Sequence, residues 1–294
     1  MTTLHQKERS ARRIFVAPFV TFLIAISVFP TAFGLIMSFT DFQLGTGAEV
    51  AFVGISNYAD LLTDSDVVAA ITRTLMLVAI ALPIQLLLGL LAAKILFRVR
   101  DLPGAGALRT IYLLPVMLPE IVVALLFAYM LDPRIGIGNY LLGELGLPRV
   151  DWFATPIVAF TSILMIVIWQ WVPLAGILFF GGLLGIPPET REAAAVDGAG
   201  SMRTLTEIEL PMLRRIIGLI ALLVGVQLVG TFPAVYMTTQ GGPGTATRLV
   251  ALELYRRGFV FFNTGSASAL AIVTLIVVIV LSQVLVRFVF KEDK

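Results

Sequence analysis

The sequence predicts an all-α integral membrane protein with six transmembrane helices and one long, charged loop between the fourth and the fifth. Three observations carry that prediction. Of 294 residues, 58% are hydrophobic and only 14% are charged, whereas soluble domains hold about 45–50% apolar and about 25% charged residues. The mean hydropathy of +0.96 cannot be hidden in the core of a chain this size, because much of a small protein's surface must meet its solvent. The apolar residues also fall into runs of about twenty, long enough at 1.5 Å per residue to cross roughly 30 Å of hydrocarbon. The lack of cysteine excludes a disulfide scaffold, and the lone histidine, His5, excludes a multi-histidine metal site. A net charge of +2 gives no reason to expect nucleic acid as a partner.

The first run extends from Ile14 to Thr40 without a formal charge. Lys7, Arg9, Arg12 and Arg13 precede it as they would a secretory signal. The run exceeds the 7–15 residues of a signal core, however, and no small-x-small cleavage site closes it, so it reads as a retained helix. The second covers Thr74 to Ala93, closed by Lys94; the third spans Ile111 to Leu131, broken only by Glu120. The fourth lies near Pro156 to Ile186, the fifth from Ile216 to Thr239 and the sixth from about Ser266 to Val286. Lys and Arg set the orientation. The N-terminal tail, the second and fourth loops and the C-terminus hold most of the 21 basic residues, which places both termini in the cytoplasm. The fifth loop, with Arg248, Arg256 and Arg257, fits that orientation least well.

The loops divide by chemistry. The first external loop, Asp41 to Thr72, carries Asp41, Glu49, Asp60, Asp64 and Asp66 with no basic residue before Arg73. It contains Phe52-Val-Gly-Ile-Ser-Asn-Tyr58 and a short helix through Leu61 and Leu62, either a solvated connection or a docking face for an external partner. In the fourth loop Pro187 stops the span and Pro188 opens a helix at its first position, with small Ala193, Ala194 and Ala195 in its second turn. Asp197-Gly198 is a turn signal, Gly198 supplying the left-handed conformation that ends a helix. Ser201 can cap a second helix through Glu209, which Leu210-Pro211 would stop. Such a helix–Gly turn–helix is longer than a minimal link. It carries both signs of charge, which suits a protein partner better than an anionic lipid surface.

These residues resemble a known family. Glu192-Ala-Ala-Ala-Val-Asp197-Gly198-Ala199, followed by Leu205, Ile208, Leu210 and Pro211, is similar to the EAA motif of permease subunits of binding-protein-dependent ABC importers. Leu205 stands where that family often has an aromatic. The stretch from Phe52 to Tyr58, Asp132-Pro-Arg-Ile-Gly136 with Asn139-Tyr-Leu-Leu142, and Gln240-Gly-Gly-Pro-Gly244 followed by Leu254-Tyr255 and Phe259 also resemble the family, maltose-type sugar permeases above all. The resemblance covers roughly residues 14–290. It implies a type I importer permease fold: a cytoplasmic tail at 1–13, a permease domain at 14–290 with its coupling loop at 187–215, and a second tail at 291–294. It further implies that Glu192, Ala193, Ala194, Asp197, Gly198, Leu205, Ile208 and Pro211 engage an ATPase subunit. The expected partners are a second homologous permease, two ATPase subunits that bind ATP and Mg, an extracytoplasmic sugar-binding protein, membrane lipid and a carbohydrate, in a bacterial or archaeal cytoplasmic membrane.

No Gly-Lys pair occurs among the four lysines, so the chain lacks the phosphate loop of a nucleotide-binding protein. No cofactor or metal site of its own and no enzymatic activity are expected. For the path through the membrane, Gln170 and Trp171 in the fourth span offer a hydrogen-bonding group and a flat face. In the fifth, Gln227 and Thr231, four apart, would share a helix face. Glu120, ten residues into its span beside a kinking Pro119, faces either the path or the partner permease, or stays neutral and hydrogen-bonded. Gly181-Gly-Leu-Leu-Gly185 has the small-xxx-small spacing of close helix packing. The competing readings are a self-sufficient gradient-driven transporter or channel, which usually shows intramembrane ionisable pairs and repeated topology, and an importer permease for a non-sugar solute such as glycerol phosphate.

Overall fold

The structure, a computed structural model, describes residues 16–289 apart from positions 46 and 48; the basic tails expected at 1–13 and 291–294 lie outside the described residues. Among the described residues, ordered structure is helical, with two isolated β-bridges. Five helices are long and apolar enough to cross a membrane: α1 (Val16–Met37), one at Ser65–Arg98, one at Pro156–Leu184, one within Ser201–Thr238, and one from Thr264. A pair bent by 91°, Ala105–Met117 and Glu120–Met130, makes the sixth when its limbs are taken together.

The chain divides into two compact units, residues up to Asp64 with Leu254–Ile276, and Ser65–Glu253 with the residues from Val277 on. In the first, α1 buries none of its residues between Ile24 and Met37, so its apolar surface is left for lipid or another chain. After it, α2 (Ser56–Thr63) is tied to the end of α1 by Asn57, whose amide donates to the carbonyls of Ser38 (2.9 Å) and Thr40 (2.8 Å). Gly265 approaches the Thr40 carbonyl so closely that a Cβ would overlap it. Asp64, which the sequence left without a basic neighbour, pairs with Arg257, which also donates to Ser266 Oγ at 2.8 Å.

The second unit begins with α3 (Ser65–Arg98). Its 34 residues span about 50 Å, so it starts well before the predicted Thr74 and outreaches the hydrocarbon. Then come α4 (Ala105–Met117), α5 (Glu120–Met130), α6 (Ile137–Glu144), α7 (Pro156–Leu184) and α8 (Pro188–Val196). Next, α9 (Ser201–Thr204) leads through one wide π turn (Leu205–Glu209) into α10 (Leu210–Val229); α11 (Pro233–Thr238), α12 (Val250–Tyr255) and α13 (Thr264–Val289) follow, the last two shared with the first unit.

The core of the second unit is the crossing of α3 and α7. A Cβ on Gly89 would lie 2.7 Å from the Ala175 Cβ and 3.0 Å from the Gly176 amide nitrogen, and one on Gly176 would run into the Tyr112 hydroxyl. Gln85, fully buried, donates to the Val167 carbonyl at 2.9 Å. The expected small-xxx-small stripe is not what packs. A Cβ on Gly181 would meet nothing within 4 Å, Gly185 caps α7, and Gly182 alone sits under Leu213 and Ile216 of α10. The side chains of those two residues, not a partner's backbone, fill the notch that the glycine leaves.

Candidate functional site

The predicted hairpin forms, with two corrections. Pro188 opens α8 behind Pro187, and Gly198 adopts φ +74°. The amides of Gly198 and Ala199 return to the carbonyls of Ala195 (3.1 Å) and Ala194 (2.9 Å), satisfying groups that a helix end leaves open. Ser201 does not cap the next helix: Gly200 takes that position and makes no side-chain cap. Nor does the second limb stop at Leu210-Pro211. It passes through the π turn, closed by the Leu210 amide on the Leu205 carbonyl, straight into α10. Proline lacks the N–H that an uninterrupted α-helix would demand and crowds the carbonyl one turn back; the extra residue of a wide turn opens that spot. Glu192, Ala193, Asp197, Gly198 and Pro211 are exposed, Leu205 and Ile208 half-buried and Ala194 buried. Val196 is 87% exposed and Met202 71%, so the tip presents small and apolar side chains to its surroundings.

What sequence reasoning missed lies beneath that tip. Glu209 is 5% exposed and bridges Lys94 Nζ at 2.8 Å and Arg191 Nε at 3.2 Å. Arg191 also donates to the carbonyls of Leu183 (2.8 Å) and Ile186 (3.2 Å) at the end of α7. Its guanidinium lies 4.6 Å from the centroid of the Phe97 ring on α3, within cation–π range. All three residues read as solvated loop charges in the linear sequence. Only a polar residue at the buried side of the π turn could have given Glu209 away, and the sequence does not mark that turn.

Along the predicted membrane path the candidate residues sit in different local settings. The third span breaks outright at Leu118-Pro119 rather than kinking, because Pro115 and Pro119 withhold two amides within five residues. Glu120 is therefore not in mid-helix. It occupies the first turn of α5, half-buried, where a helix N-terminus favours negative charge. Gln170 is 4% exposed and its amide points at the Leu118 carbonyl of that break, at 3.4 Å. Trp171 is half-buried, while Trp169 packs edge-on against Phe127 with ring centroids 5.3 Å apart. The shared face expected for Gln227 and Thr231 does not exist: α10 ends at Val229, so Gln227 is exposed on the helix and Thr231 buried beyond it. Gly230 and Pro233 bracket that break.

At the other end of α3, Arg248 reaches Asp66 at 2.8 Å, and Arg73 donates to Thr245 at 3.0 Å. The fifth loop's basic residues, uncomfortable in the sequence, are thus partly matched by acids of the first loop, Asp64 and Asp66. In the turn after α5, Asp132 Oδ1 accepts from the amides of Arg134 (2.8 Å) and Ile135 (3.0 Å). Asn139 exchanges two 2.9 Å bonds with the backbone of Val150. The backbone amides of Ile135 and Arg134 hold the Asp132 carboxyl below the usual carboxylate range. With the folded-state pKa depressed, its stabilisation is full above the unfolded value near 3.9 and is lost as pH falls through the folded one. The stability difference between the wild type and Asp132→Asn should therefore stay flat from about pH 8 to about pH 6 and shrink below about pH 4. Thermal unfolding across that series checks it; a difference that grew on acidification would be incompatible.

Within the second unit the charged hairpin is seated on the ends of α3 and α7, and comparison with known proteins gives it a family. Residues 85–292 match the family described as the binding-protein-dependent transport system inner membrane component. The chain belongs to that family. This inner membrane component is 31% identical over 283 residues to the sulfoquinovosyl glycerol transport system permease SmoG of Agrobacterium fabrum, covering 95% of this chain and 90% of that protein. It is 32% identical over 234 residues to the trehalose/maltose permease MalF of Thermococcus litoralis, covering 79% and 77%. Its fold matches a chain of a bacterial alginate ABC transporter, solved with an alginate-loaded periplasmic protein, at a TM-score of 0.83 and 22% identity over 97% and 96% of the two chains.

Proposed function

We propose that this chain is one permease half of an ATP-driven importer that moves a carbohydrate across the cytoplasmic membrane by alternating access. The observation that carries the proposal is the hairpin of α8 and α9, with exposed Glu192, Ala193, Asp197 and Gly198 at its surface and a buried carboxylate bonded to two cations at its base. A surface of small side chains and one carboxylate, rigidly backed, is suited to a cleft on a partner that moves. The similarity to SmoG, a sulfoquinovosyl glycerol permease, and MalF, a trehalose/maltose permease, supports the substrate class.

In this reading the chain pairs with a second homologous permease, two ATPase subunits seated on the hairpins and an external solute-binding protein. ATP and Mg belong to the ATPases. The basic residues near the hairpin support a cytoplasmic position for it and for both termini. ATP-driven closure of the ATPases moves the hairpins as rigid elements and tilts the spans between inward- and outward-facing states. Leu205, Ile208 and Pro211 shape the second limb, while Gly198 holds the bend. Along the path, Gln170 and Thr231 are committed to burial, which leaves half-buried Trp171 and Glu120 and exposed Gln227 to meet sugar hydroxyls and ring faces. The permease domain is assigned to 14–290 with the coupling loop at 187–215.

The test is reconstitution with the co-encoded ATPase and binding protein. The wild type should give sugar uptake that requires both ATP and the binding protein. Glu192→Ala should insert normally yet release the ATPase on purification, or lose most of its uptake. Gradient-driven uptake by the chain alone would sink the proposal.

A further inference from the structure

Three helices meet the hairpin base, and each is attached differently. Towards α10 the backbone is continuous through the π turn. Towards α7 the link is Pro187 and the two carbonyls that Arg191 caps. Helix α3 has no covalent connection there, since its chain leaves at Arg98. Its side chains against the hairpin's charged base are Lys94, 2.8 Å from Glu209, and Phe97, whose ring lies beneath Arg191 and is faced by Arg100 at 4.0 Å as well.

Lys94 is not needed to neutralise Glu209. Arg191 already supplies one positive charge at 3.2 Å, and the cluster of two cations and one anion carries a net positive charge. The second cation adds position instead. Apolar helix faces resist separation but offer little against sliding, whereas a charge-assisted bond of 2.8 Å fixes one register. Glu209 is also the last residue of the π turn, so the bond grips the hairpin at the point where its backbone is least regular.

We infer that Lys94, with Phe97 beside it, is a positioning residue that locks the hairpin to α3, so that hairpin displacement is delivered to α3 instead of being absorbed at the hairpin's base. The inference rests on the transport reading above and adds to it the route by which α3 is moved. Lys94 touches neither substrate nor nucleotide; it acts through Glu209.

The experiment uses the complete transporter in proteoliposomes, with sugar uptake and ATP hydrolysis measured on the same vesicles. Wild type must first show ATP-driven, binding-protein-dependent uptake; if it does not, the transport reading itself fails. Given that it does, Lys94→Gln should keep its rate of ATP hydrolysis while uptake per ATP falls about fivefold or more. Lys94→Arg, which preserves the charge and the bond, should restore the ratio. An assembled Lys94→Gln transporter with an unchanged ratio, or one losing uptake and hydrolysis in equal proportion, overturns the lock. Should Lys94→Gln not assemble, Phe97→Leu removes the ring under Arg191 without changing any charge. It should lower the same ratio, and an unchanged value again overturns the proposal.

Discussion

Gly89→Leu should separate α3 from α7 and lower the stability of the solubilised chain by about 3 kcal/mol or more, the upper range of overpacking in a filled interior. The added Cβ alone would stand 2.7 Å from the Ala175 Cβ and 3.0 Å from a backbone nitrogen, and neither neighbour can rotate away. The nearby bond from Gln85 to Val167 cannot compensate. Hydrogen bonds between helices in membranes average only about 0.6 kcal/mol, so close contact, not the amide, holds this crossing. Gly181→Leu is the control, because a Cβ there meets nothing within 4 Å; its effect should stay within about 0.5 kcal/mol. Thermal unfolding of the two variants in one detergent compares them directly. Equal losses would mean that the small-xxx-small spacing, and not the α3–α7 crossing, sets the packing.

Glu209→Ala should be the most damaging change in the hairpin, at about 3 kcal/mol. Breaking a buried ion pair by removing one partner costs about 3–5 kcal/mol, because the other charge stays behind without its counter-ion. The lower end applies here: the Lys94 side chain is 33% exposed and can reach water, and Arg191 keeps two carbonyls and an aromatic ring. The comparison is Glu207→Ala. Its partner Arg203 lies at 2.9 Å, but both side chains are more than half exposed, so the loss should fall between 0 and about 1 kcal/mol. Melting temperatures of the two variants, with membrane insertion confirmed for each, read the difference. A smaller loss for Glu209→Ala than for Glu207→Ala would show that the triad is solvated.

These two cases mark how much of the chain was legible. The hairpin was readable because its signals are local: Pro187-Pro188 starts it, Gly198 bends it, and the alanines keep it slim. The helix break at Pro119 was readable in kind for the same reason, though not in degree, since the 91° bend depends on what α7 packs against it. Charges were the least legible. Asp64, Asp66, Arg248 and Arg257 read as loop residues with opposed preferences. They are paired across about two hundred positions of sequence, and no window of sequence holds both members. The expected face of Gln227 and Thr231 failed because α10 ends at Val229, two residues before Thr231, although the apolar run continues to Thr239.

By itself the sequence determined that this protein lives in a bilayer, how many times its chain crosses, and where the charged hairpin lies between the fourth and fifth spans. Those properties follow from composition and from signals a few residues long, which act on the chain before it folds. The tertiary structure alone decided which glycine is a packing surface and which loop charges are buried. It also decided that Glu209, the last residue expected in the hairpin's second limb, sits between Lys94 and Arg191. The physical reason is the range of the forces. Hydropathy and turn chemistry are set residue by residue, whereas steric contact and desolvated ion pairing exist only once distant helices have met.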